Sequence, residues 1–497
     1  MVRRAMEVTQ VWTHLFPRFQ SSSVKVQGQV REMIVHSILS GLVPPGTAVP
    51  PSRTLALALG VSRNTVSLAL QSLVGKGFLV AVPRSGLYVN DDIVLGQAGT
   101  NDDAQALTFK LDWSERLKGA GLASQRNISK PSNWQAYPFP FIYGQFDASL
   151  MPLRDWRTCT NQSLMAPAVR QWSQDLIDGD SSLLIDQIQH RLLPARGIVA
   201  ERNEIMVTAG AQMATYLLSQ VLLGRDTIVG IEDPGYPDAR NSFLMRTEQV
   251  RPLAIDDQGM RPGRNFSSCD YVFVTPSHQC PTTVTMPLER RLALLRLARR
   301  RDVVLFEDDH ESELNFSAKP LPALKSLDTD NRVIYIGSLS KTLAHSLRLG
   351  FVVGPADLIR ELRRLRRLVI RHAPNNNAHT TALFVSQGYH ESFMRKLNTV
   401  YRARRNQLEI SLQAHLPMLR VTPSLGGSAA WIEGPRGLDS RRLSQVALQH
   451  GVIIEPGGIF FHRPTAAQHR WFRMGYSAIT EGQIDEGVLK LRAAMTS

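Results

Sequence analysis

Residues 333–341 read VIYIGSLSK, a short apolar run followed by a polar turn and a lysine. Four other short apolar runs occur in the chain, at 205–208 (IMVT), 228–231 (IVGI), 271–275 (YVFVT) and 303–307 (VVLFE). Each is too short for a helix and rich in β-branched or aromatic residues, which predicts a buried strand. Helical patterns such as LERRLALLRLARR separate them. This alternation predicts an α/β domain with a mostly parallel sheet and helices on both faces.

Polar residues follow several of these strands, and ligands of parallel sheets bind beyond the carboxyl ends of the strands. Gly210, Ala211 and Gln212 open a helix after the first strand, where free backbone amides favour a phosphate. Tyr236 follows the second strand and has the planar ring to stack on a cofactor. Taken singly, an ordinary strand–helix turn and a packing aromatic explain these residues equally well.

Two further strand ends carry charged groups. Asp308 lies in a run of three acids after one strand, and a buried carboxylate needs a cationic partner. A protonated pyridine nitrogen would serve. Lys341 ends the opening segment, and a buried lysine is costly unless it is neutral or covalently engaged. Arg348, seven residues later, could balance a phosphate. Together with the phosphate-binding helix start at Gly210 and the ring of Tyr236, these residues indicate a pyridoxal 5′-phosphate site.

The first 90 residues differ from the rest in charge. They hold nine Lys or Arg residues against two acids, and therefore half of the net charge of +14. A basic head of this kind is typical of a domain that meets the phosphates of nucleic acid. A basic surface without a nucleic-acid partner would have the same composition.

The pattern within the head is more specific. Apolar residues at helical spacing run through 24–42, and a second short helix is predicted with Ser52 as its N-cap and Gly60 as its stop. Ser62 is predicted to cap a third helix, and a hairpin follows around residues 83–86. This order is that of a winged helix-turn-helix. The alternative is a small three-helix module that binds protein.

The stretch PPSRTLALALGVSRNTVSLALQSLVGKGFLV, followed by RSGLYV, resembles the GntR family of bacterial winged helix-turn-helix repressors. The resemblance implies double-stranded DNA as the partner, read by the N-terminal turn of the third helix. The predicted DNA contacts, with the wing-tip arginine added for its place in the hairpin, are Arg53, Ser62, Arg63, Asn64, Thr65, Ser67, Arg84, Ser85 and Gly86.

The segments VTAGAQ, EDPGYPDAR, FEDDHESEL, GSLSKTLAHSLRLGFVV and FRMGYS resemble aminotransferase fold type I. They look most like the version fused to GntR heads in the MocR/GabR family of regulators. The resemblance implies that Lys341 forms the Schiff base and that Asp308 pairs with the ring nitrogen of the cofactor. It also implies that Tyr236 stacks on the ring and that Arg473 receives the carboxylate of an amino-acid ligand. The implied phosphate-binding residues are Gly210, Ala211, Gln212, Ser338 and Arg348.

Three positions depart from the family pattern. His310 stands where the family usually has a tyrosine that bonds the cofactor hydroxyl, and we expect the histidine to contact the cofactor there. Cys280 and Thr283 replace an aromatic and a glycine. Cofactor binding is expected to survive these changes, whereas efficient transamination is the activity they put in question.

The predicted organisation is an N-terminal tail (1–21), a GntR-type head (22–90), a flexible linker (91–135) and an aminotransferase-like domain (136–497). No apolar stretch reaches the length of a membrane helix, and the N-terminus lacks a signal-peptide pattern. The three cysteines have no metal-ligand spacing. We therefore expect a cytoplasmic protein without a metal site.

The function expected from these features is DNA-binding transcriptional regulation. An amine or amino-acid effector would be sensed by aldimine exchange at Lys341, and the resemblance implies a homodimer whose heads cross to the partner. One alternative is an active aminotransferase with an accessory DNA-binding head. A second alternative is a regulator that no longer binds the cofactor.

Overall fold

The computed structural model describes most of the chain as two compact units, Met1–Lys118 and Gly119–Ser497. The division between the units falls inside the predicted linker, 91–135. All structural statements below refer to the described residues, which are 2–21, 24–93, 112–114, 116–117, 125–317, 321–339 and 343–496.

The N-terminal unit has the predicted order of a winged helix-turn-helix. Its helices and strands are α1 (Val2–Phe19), α2 (Val26–Leu39), α3 (Ser52–Leu59), α4 (Arg63–Gly75), β1 (Leu79–Val82) and β2 (Gly86–Val89). The two strands form the antiparallel wing, and Leu79 pairs with Val89. Gly60 ends α3 in the left-handed conformation, as predicted.

Helix α1 occupies residues that were predicted to form a tail, so that prediction was wrong. Val8, Trp12 and Phe16 recur every four residues and are buried in the core of the head. The indole Nε1 of Trp12 donates a hydrogen bond of 2.7 Å to Oγ of Ser37 on α2. The core of this head therefore draws on four helices.

The two predicted helix caps have different outcomes. Oγ of Ser62 accepts a hydrogen bond of 3.1 Å from the backbone N–H of Thr65, which confirms Ser62 as the N-cap of α4. Ser52 is instead the first helical residue of α3, and Pro51 is the N-cap. Because proline lacks a capping side chain, α3 begins without the predicted side-chain hydrogen bond.

The C-terminal unit is built on an eight-stranded sheet in the order β4-β11-β10-β9-β8-β5-β6-β7. Strand β11 runs antiparallel to β10 and β4, and β7 runs antiparallel to β6, whereas the other described strand pairs of this sheet are parallel. The prediction of a mostly parallel sheet is therefore confirmed. All five strands predicted from apolar runs are present. The strands of this sheet are β4 (Ile205–Thr208), β5 (Val229–Asp233), β6 (Val250–Asp256), β7 (Gly259–Met260), β8 (Tyr271–Val274), β9 (Val304–Asp308), β10 (Val333–Ser338) and β11 (Gly350–Val353).

Helices cover this sheet and connect it to a smaller C-terminal sheet of order β12-β13-β16-β15. The remaining strands are β3 (Phe139–Pro140), β12 (Arg420–Val421), β13 (Ala429–Glu433), β14 (Val452–Ile453), β15 (Glu455–Pro456) and β16 (Trp471–Gly475). The helices are α5 (Leu153–Ser163), α6 (Ala166–Trp172), α7 (Ser182–Gln187), α8 (Ala211–Leu222), α9 (Pro237–Leu244), α10 (Leu288–Arg301), α11 (Ala356–Ile370), α12 (Asn375–Ser386), α13 (Tyr389–His415), α14 (Ser440–Gln449) and α15 (Glu481–Thr496).

Within the described ranges, no helix combines the length and the apolar character needed to cross a membrane. The same residues contain no cluster of His, Cys, Asp and Glu suited to a metal ion.

The burial of Trp12 gives a prediction about the head. Replacing Trp12 by Ala removes a fully buried ring and its hydrogen bond, and should destabilise the head by about 3–5 kcal/mol. Thermal unfolding of the full chain, followed by tryptophan fluorescence and circular dichroism, measures the change. Trp113 is 64% exposed, so Trp113→Ala is the matched control and should leave the transition within about 0.5 kcal/mol. Equal effects of the two substitutions would contradict a structural role for α1.

Candidate cofactor site and DNA-binding face

A cavity of about 130 Å³ lies at the carboxyl ends of the parallel strands. The strands meet at the same edge of the sheet, which brings together residues that are far apart in sequence. Eight of the nine predicted cofactor residues line this cavity, namely Gly210, Ala211, Gln212, Tyr236, Asp308, His310, Ser338 and Arg348. The ninth, Lys341, lies outside the described residues. Its role therefore stays a prediction, as do the individual roles of the other eight.

The wall formed by the start of α8 has the form expected for an anion site. Gly210 precedes the helix with φ +86°, a conformation that side chains rarely adopt. A Cβ atom at Gly210 would lie 3.0 Å from Nη2 of Arg348, so the missing side chain leaves room for the guanidinium. Nη2 of Arg348 donates a hydrogen bond of 3.1 Å to the carbonyl of Ala209. A cation thus lies against a helix N-terminus whose first amides have no intrahelical partner.

The three successive acids of residues 307–309 have separate surroundings. The carboxylate of Glu307 accepts hydrogen bonds of 2.7 Å from the backbone amides of Leu324 and Lys325, on the side of the sheet away from the cavity. Asp308, at the end of β9, lines the cavity and is 6% exposed. Its Oδ1 lies 3.8 Å from Nδ1 of His310. Of the three acids, only Asp308 is therefore in place to meet a bound ring.

Asp309 is held by a buried network. Its Oδ2 accepts from Nε of Arg196 at 2.7 Å and from Oη of Tyr335 at 2.8 Å, and its Oδ1 accepts from Ser277. Burial alone would raise the pKa of Asp309, but the Arg196 guanidinium and these hydrogen bonds hold it at about 2. The carboxylate is therefore ionised at neutral pH and holds the end of β9 in place. Arg196 and Tyr335 carry no motif that would have revealed this role in the sequence.

Tyr236 and Gln212 are held together on another wall of the cavity. Oη of Tyr236 lies 3.1 Å from both Oε1 of Gln212 and Oδ2 of Asp238. Burial and the nearby carboxylates raise the pKa of Tyr236 well above its ordinary value, so the phenol stays neutral. The ring is thereby oriented as a neutral, planar wall.

Two lining residues, Tyr143 and Cys280, were not assigned to the site from the sequence. Tyr143 comes from the segment after β3, which carries no recognisable motif. Cys280 was noted only as a departure from the family pattern. Its thiol is small, so it leaves space where the family has an aromatic ring.

Arg473, the predicted carboxylate-binding residue, is not among the lining residues but lies directly behind one of them. Its Cζ stands 3.9 Å from the ring centroid of Tyr143 and 4.6 Å from that of Phe460. Its Nε donates a hydrogen bond of 2.7 Å to Oε2 of Glu455 on the neighbouring strand. The arginine is therefore already engaged with an acid of its own chain.

Three of the predicted DNA-binding residues share one groove of the N-terminal unit. Ser67 of α4 and Ser85 and Gly86 of the wing line a common groove of about 560 Å³. Arg84 occupies the wing turn with φ +62°. Thr65 and Ser67 are half-buried, and seven of the nine predicted contacts are exposed: Arg53, Ser62, Arg63, Asn64, Arg84, Ser85 and Gly86. These seven are accessible to a DNA duplex.

Comparison with known families assigns both units. Residues 177–491 match the model of aminotransferase class I and II, and residues 26–89 match that of bacterial regulatory proteins of the gntR family. The chain therefore belongs to the aminotransferase class I and II family, in the form that carries a GntR-type DNA-binding head. This is the architecture of helix-turn-helix transcriptional regulators, and it confirms the predicted fold and family.

Several named regulators are similar to this chain over most of their length. The HTH-type transcriptional regulator TauR of Rhodobacter capsulatus is 36% identical over 95% of this chain and 96% of its own. The probable rhizopine catabolism regulatory protein MocR of Rhizobium meliloti is 28% identical over 96% and 94%. The HTH-type pyridoxine biosynthesis regulator PdxR of Corynebacterium glutamicum is 29% identical over 85% and 88%. The chain is accordingly a transcriptional regulator of this type.

Solved structures of aminotransferases resemble the C-terminal unit. The α-aminoadipate aminotransferase LysN of Thermus thermophilus, complexed with N-(5′-phosphopyridoxyl)-L-leucine, has a TM-score of 0.68 at 25% identity and covers 78% of this chain and 98% of its own. Kynurenine aminotransferase of Pyrococcus horikoshii, in complex with PMP, has a TM-score of 0.67 at 26% identity over 79% and 96%. The shared fold and these complexes support pyridoxal 5′-phosphate as the cofactor, as predicted. The cavity fits such a group, because it offers a glycine cradle, a cation, a neutral ring and a buried acid.

The cradle gives a prediction about cofactor retention. Arg348→Met should weaken the binding of pyridoxal 5′-phosphate about 10- to 100-fold, because a charge-assisted hydrogen bond is worth roughly 1.5–3 kcal/mol. Absorbance of the full chain after equilibrium dialysis against graded cofactor measures the dissociation constant. Arg360 on α11 is exposed and pairs with Asp357, so Arg360→Met is the control. If both variants retain the cofactor equally, Arg348 does not hold the phosphate.

Proposed function

We propose that this chain is a ligand-responsive transcriptional regulator that senses an amine or amino acid at the candidate cofactor cavity, with Lys341 as the amine that the effector replaces. Pyridoxal 5′-phosphate, when bound, supplies an aldehyde carbon on which the amine of an effector can replace that of the lysine. The observation that carries the proposal is the cavity itself. Asp308, Tyr236, Gly210 and Arg348 converge on it in a chain that also carries a complete winged head.

The residues of the chain have distinct tasks in this proposal. Asp308 would hold the proton of the ring nitrogen, and the Gly210–Arg348 cradle would hold the phosphate. Tyr236 would stack on the ring of the cofactor, and Arg473 would attract the acidic group of an amino-acid effector. Release of Lys341 is the event that would signal occupancy to the rest of the chain.

The same cavity supports a second candidate, an active aminotransferase with an accessory head, because its acid, ring and cradle are those an enzyme needs. His310 and Cys280 line the cavity where the family pattern has a tyrosine and an aromatic ring. These two substitutions favour binding over turnover. Steady-state assays with an amino donor and a keto acid separate the candidates, since sustained turnover would establish the enzyme.

An absorbance titration tests sensing directly. The full chain loaded with cofactor should show a visible band that shifts when an effector amine is added, because the linkage at Lys341 changes. Lys341→Ala removes that linkage, so its spectrum should be that of free aldehyde and should not show the same shift. Lys325 is a second lysine of the same unit, paired with Asp328, and Lys325→Ala should behave as the parent chain. A Lys341→Ala spectrum identical to that of the parent would refute the assignment.

DNA recognition is tested on α4. Arg63→Ala should weaken binding to the operator by about 1–3 kcal/mol if the guanidinium pairs with a base. Lys76, an exposed cation at the other end of the same helix, provides the control Lys76→Ala, which should leave specificity unchanged. Equilibrium binding to operator and scrambled duplexes at the same salt concentration measures the specific and the nonspecific affinity of each variant. Equal loss on the two duplexes would make Arg63 a phosphate contact only.

We also propose a homodimer with heads exchanged between partners, as the family resemblance implies. Leu153, Leu164 and Met165 are about 60% exposed on α5 and the turn before α6, which supplies apolar surface for such an interface. Light scattering of the purified chain measures its mass, and a monomer at micromolar concentration would contradict this proposal.

A further inference from the structure

Arg473 and Glu455 form a buried ion pair immediately behind the candidate cofactor cavity. They are cross-strand neighbours on β16 and β15, and each side chain is less than 5% exposed. The pair meets the cavity through Tyr143, whose ring stacks on the guanidinium at 3.9 Å. Nη2 of Arg473 is buried and has no hydrogen-bond partner among the described residues. The Nε–H group of the guanidinium is thus engaged by an internal acid, whereas the N–H groups of Nη2 are unused.

Glu455 also contacts a second cation. Nζ of Lys130 lies 3.2 Å from Oε1 of Glu455 and donates a hydrogen bond to the carbonyl of Tyr143. Lys130 and Glu455 line a cleft of about 610 Å³, next to Ile454, Pro456 and Gly458. Glu455 therefore stands between two cations, one beside the cofactor cavity and one at the edge of a large cleft.

The charges of this cluster decide how an anion can enter it. Two cations and one acid leave a net charge of about +1, so one further negative charge is electrostatically favoured. A carboxylate binds arginine best through two parallel N–H groups. Because Glu455 already accepts from Nε, an incoming acid must share the guanidinium with Glu455 or displace it. Displacement is feasible because Lys130 remains to pair with the released Glu455, which avoids an unpaired buried charge.

We propose that Glu455 is a specificity-determining residue that competes with the acidic group of the effector for Arg473. The effector is then an amine that also carries a carboxylate or sulfonate, and Glu455 sets its affinity. This inference rests on the proposed function. Lys130 is also involved, because it lies within the predicted linker (91–135) that leads to the head. Exchange of partners at Glu455 changes the anchoring of that segment.

The test uses the full chain loaded with cofactor and three probe amines of similar size. β-Alanine and 2-aminoethanesulfonate carry an acid, and propylamine does not. Absorbance titration gives a dissociation constant for each probe. In Glu455→Gln, both acidic probes should bind at least tenfold more tightly, because the competitor is gone, and propylamine should change less than twofold. If only one acidic probe gains affinity, that probe identifies which acid the site accepts.

A second variant acts in the opposite direction and guards against misfolding of the first. Lys130→Met removes the alternative partner of Glu455, so Glu455 should hold Arg473 more firmly and the acidic probes should bind at least fivefold more weakly. In this variant Glu455 keeps Arg473 as its partner, and a melting temperature close to that of the parent verifies that the variant is folded. Glu433→Gln is the matched control, because Glu433 of β13, in the same small sheet, forms an ion pair with Arg470, the residue before β16.

The outcomes separate this inference from the function on which it rests. If the parent spectrum responds to none of the probes, the proposed function fails and the role of Glu455 fails with it. If the parent responds but the acidic probes bind folded Glu455→Gln no more tightly than the parent, only the role of Glu455 is overturned. Should Glu455→Gln not fold, an unchanged affinity of Lys130→Met for the acidic probes overturns it equally.

Discussion

The buried ion pair between Arg196 and Asp309 is the constraint on which the candidate site depends. The three acids that end β9 repel one another, and each needs its own partner to remain in place. Arg196, Tyr335 and Ser277 hold Asp309, while backbone amides hold Glu307. With Asp309 and Glu307 held by these partners, Asp308 is the acid of the three that lines the cavity.

A second buried ion pair lies behind the cavity. Arg473 is neutralised by Glu455 on the next strand, and Glu455 is shared with Lys130. A buried arginine without any acid would be costly, so the internal pair stabilises the ligand-free protein. Under the proposed role of Glu455, an acidic effector would exchange partners with this pair instead of entering an empty site, so its binding would alter contacts outside the cavity.

The N-terminal unit obeys a different constraint, the size of its core. A small domain buries little apolar surface, so each additional helix that packs on it adds substantially to the buried apolar area. Helix α1 adds Val8, Trp12 and Phe16 to the core of the head. Seven of the nine residues predicted to contact DNA remain exposed on the surface of this unit.

The sequence by itself determined five strands of the large sheet, the winged head and eight of the ten residues that line the cavity. Strands and the first turns of helices are local patterns of apolar spacing and capping, as Ser62 illustrates. Only the tertiary structure decided what Trp12, Arg196 and Glu455 do. Their partners are remote in the chain or on neighbouring strands, and no local pattern records such contacts. For the same reason, the sequence predicted a ligand carboxylate as the partner of Arg473, whereas its partner in the structure is Glu455.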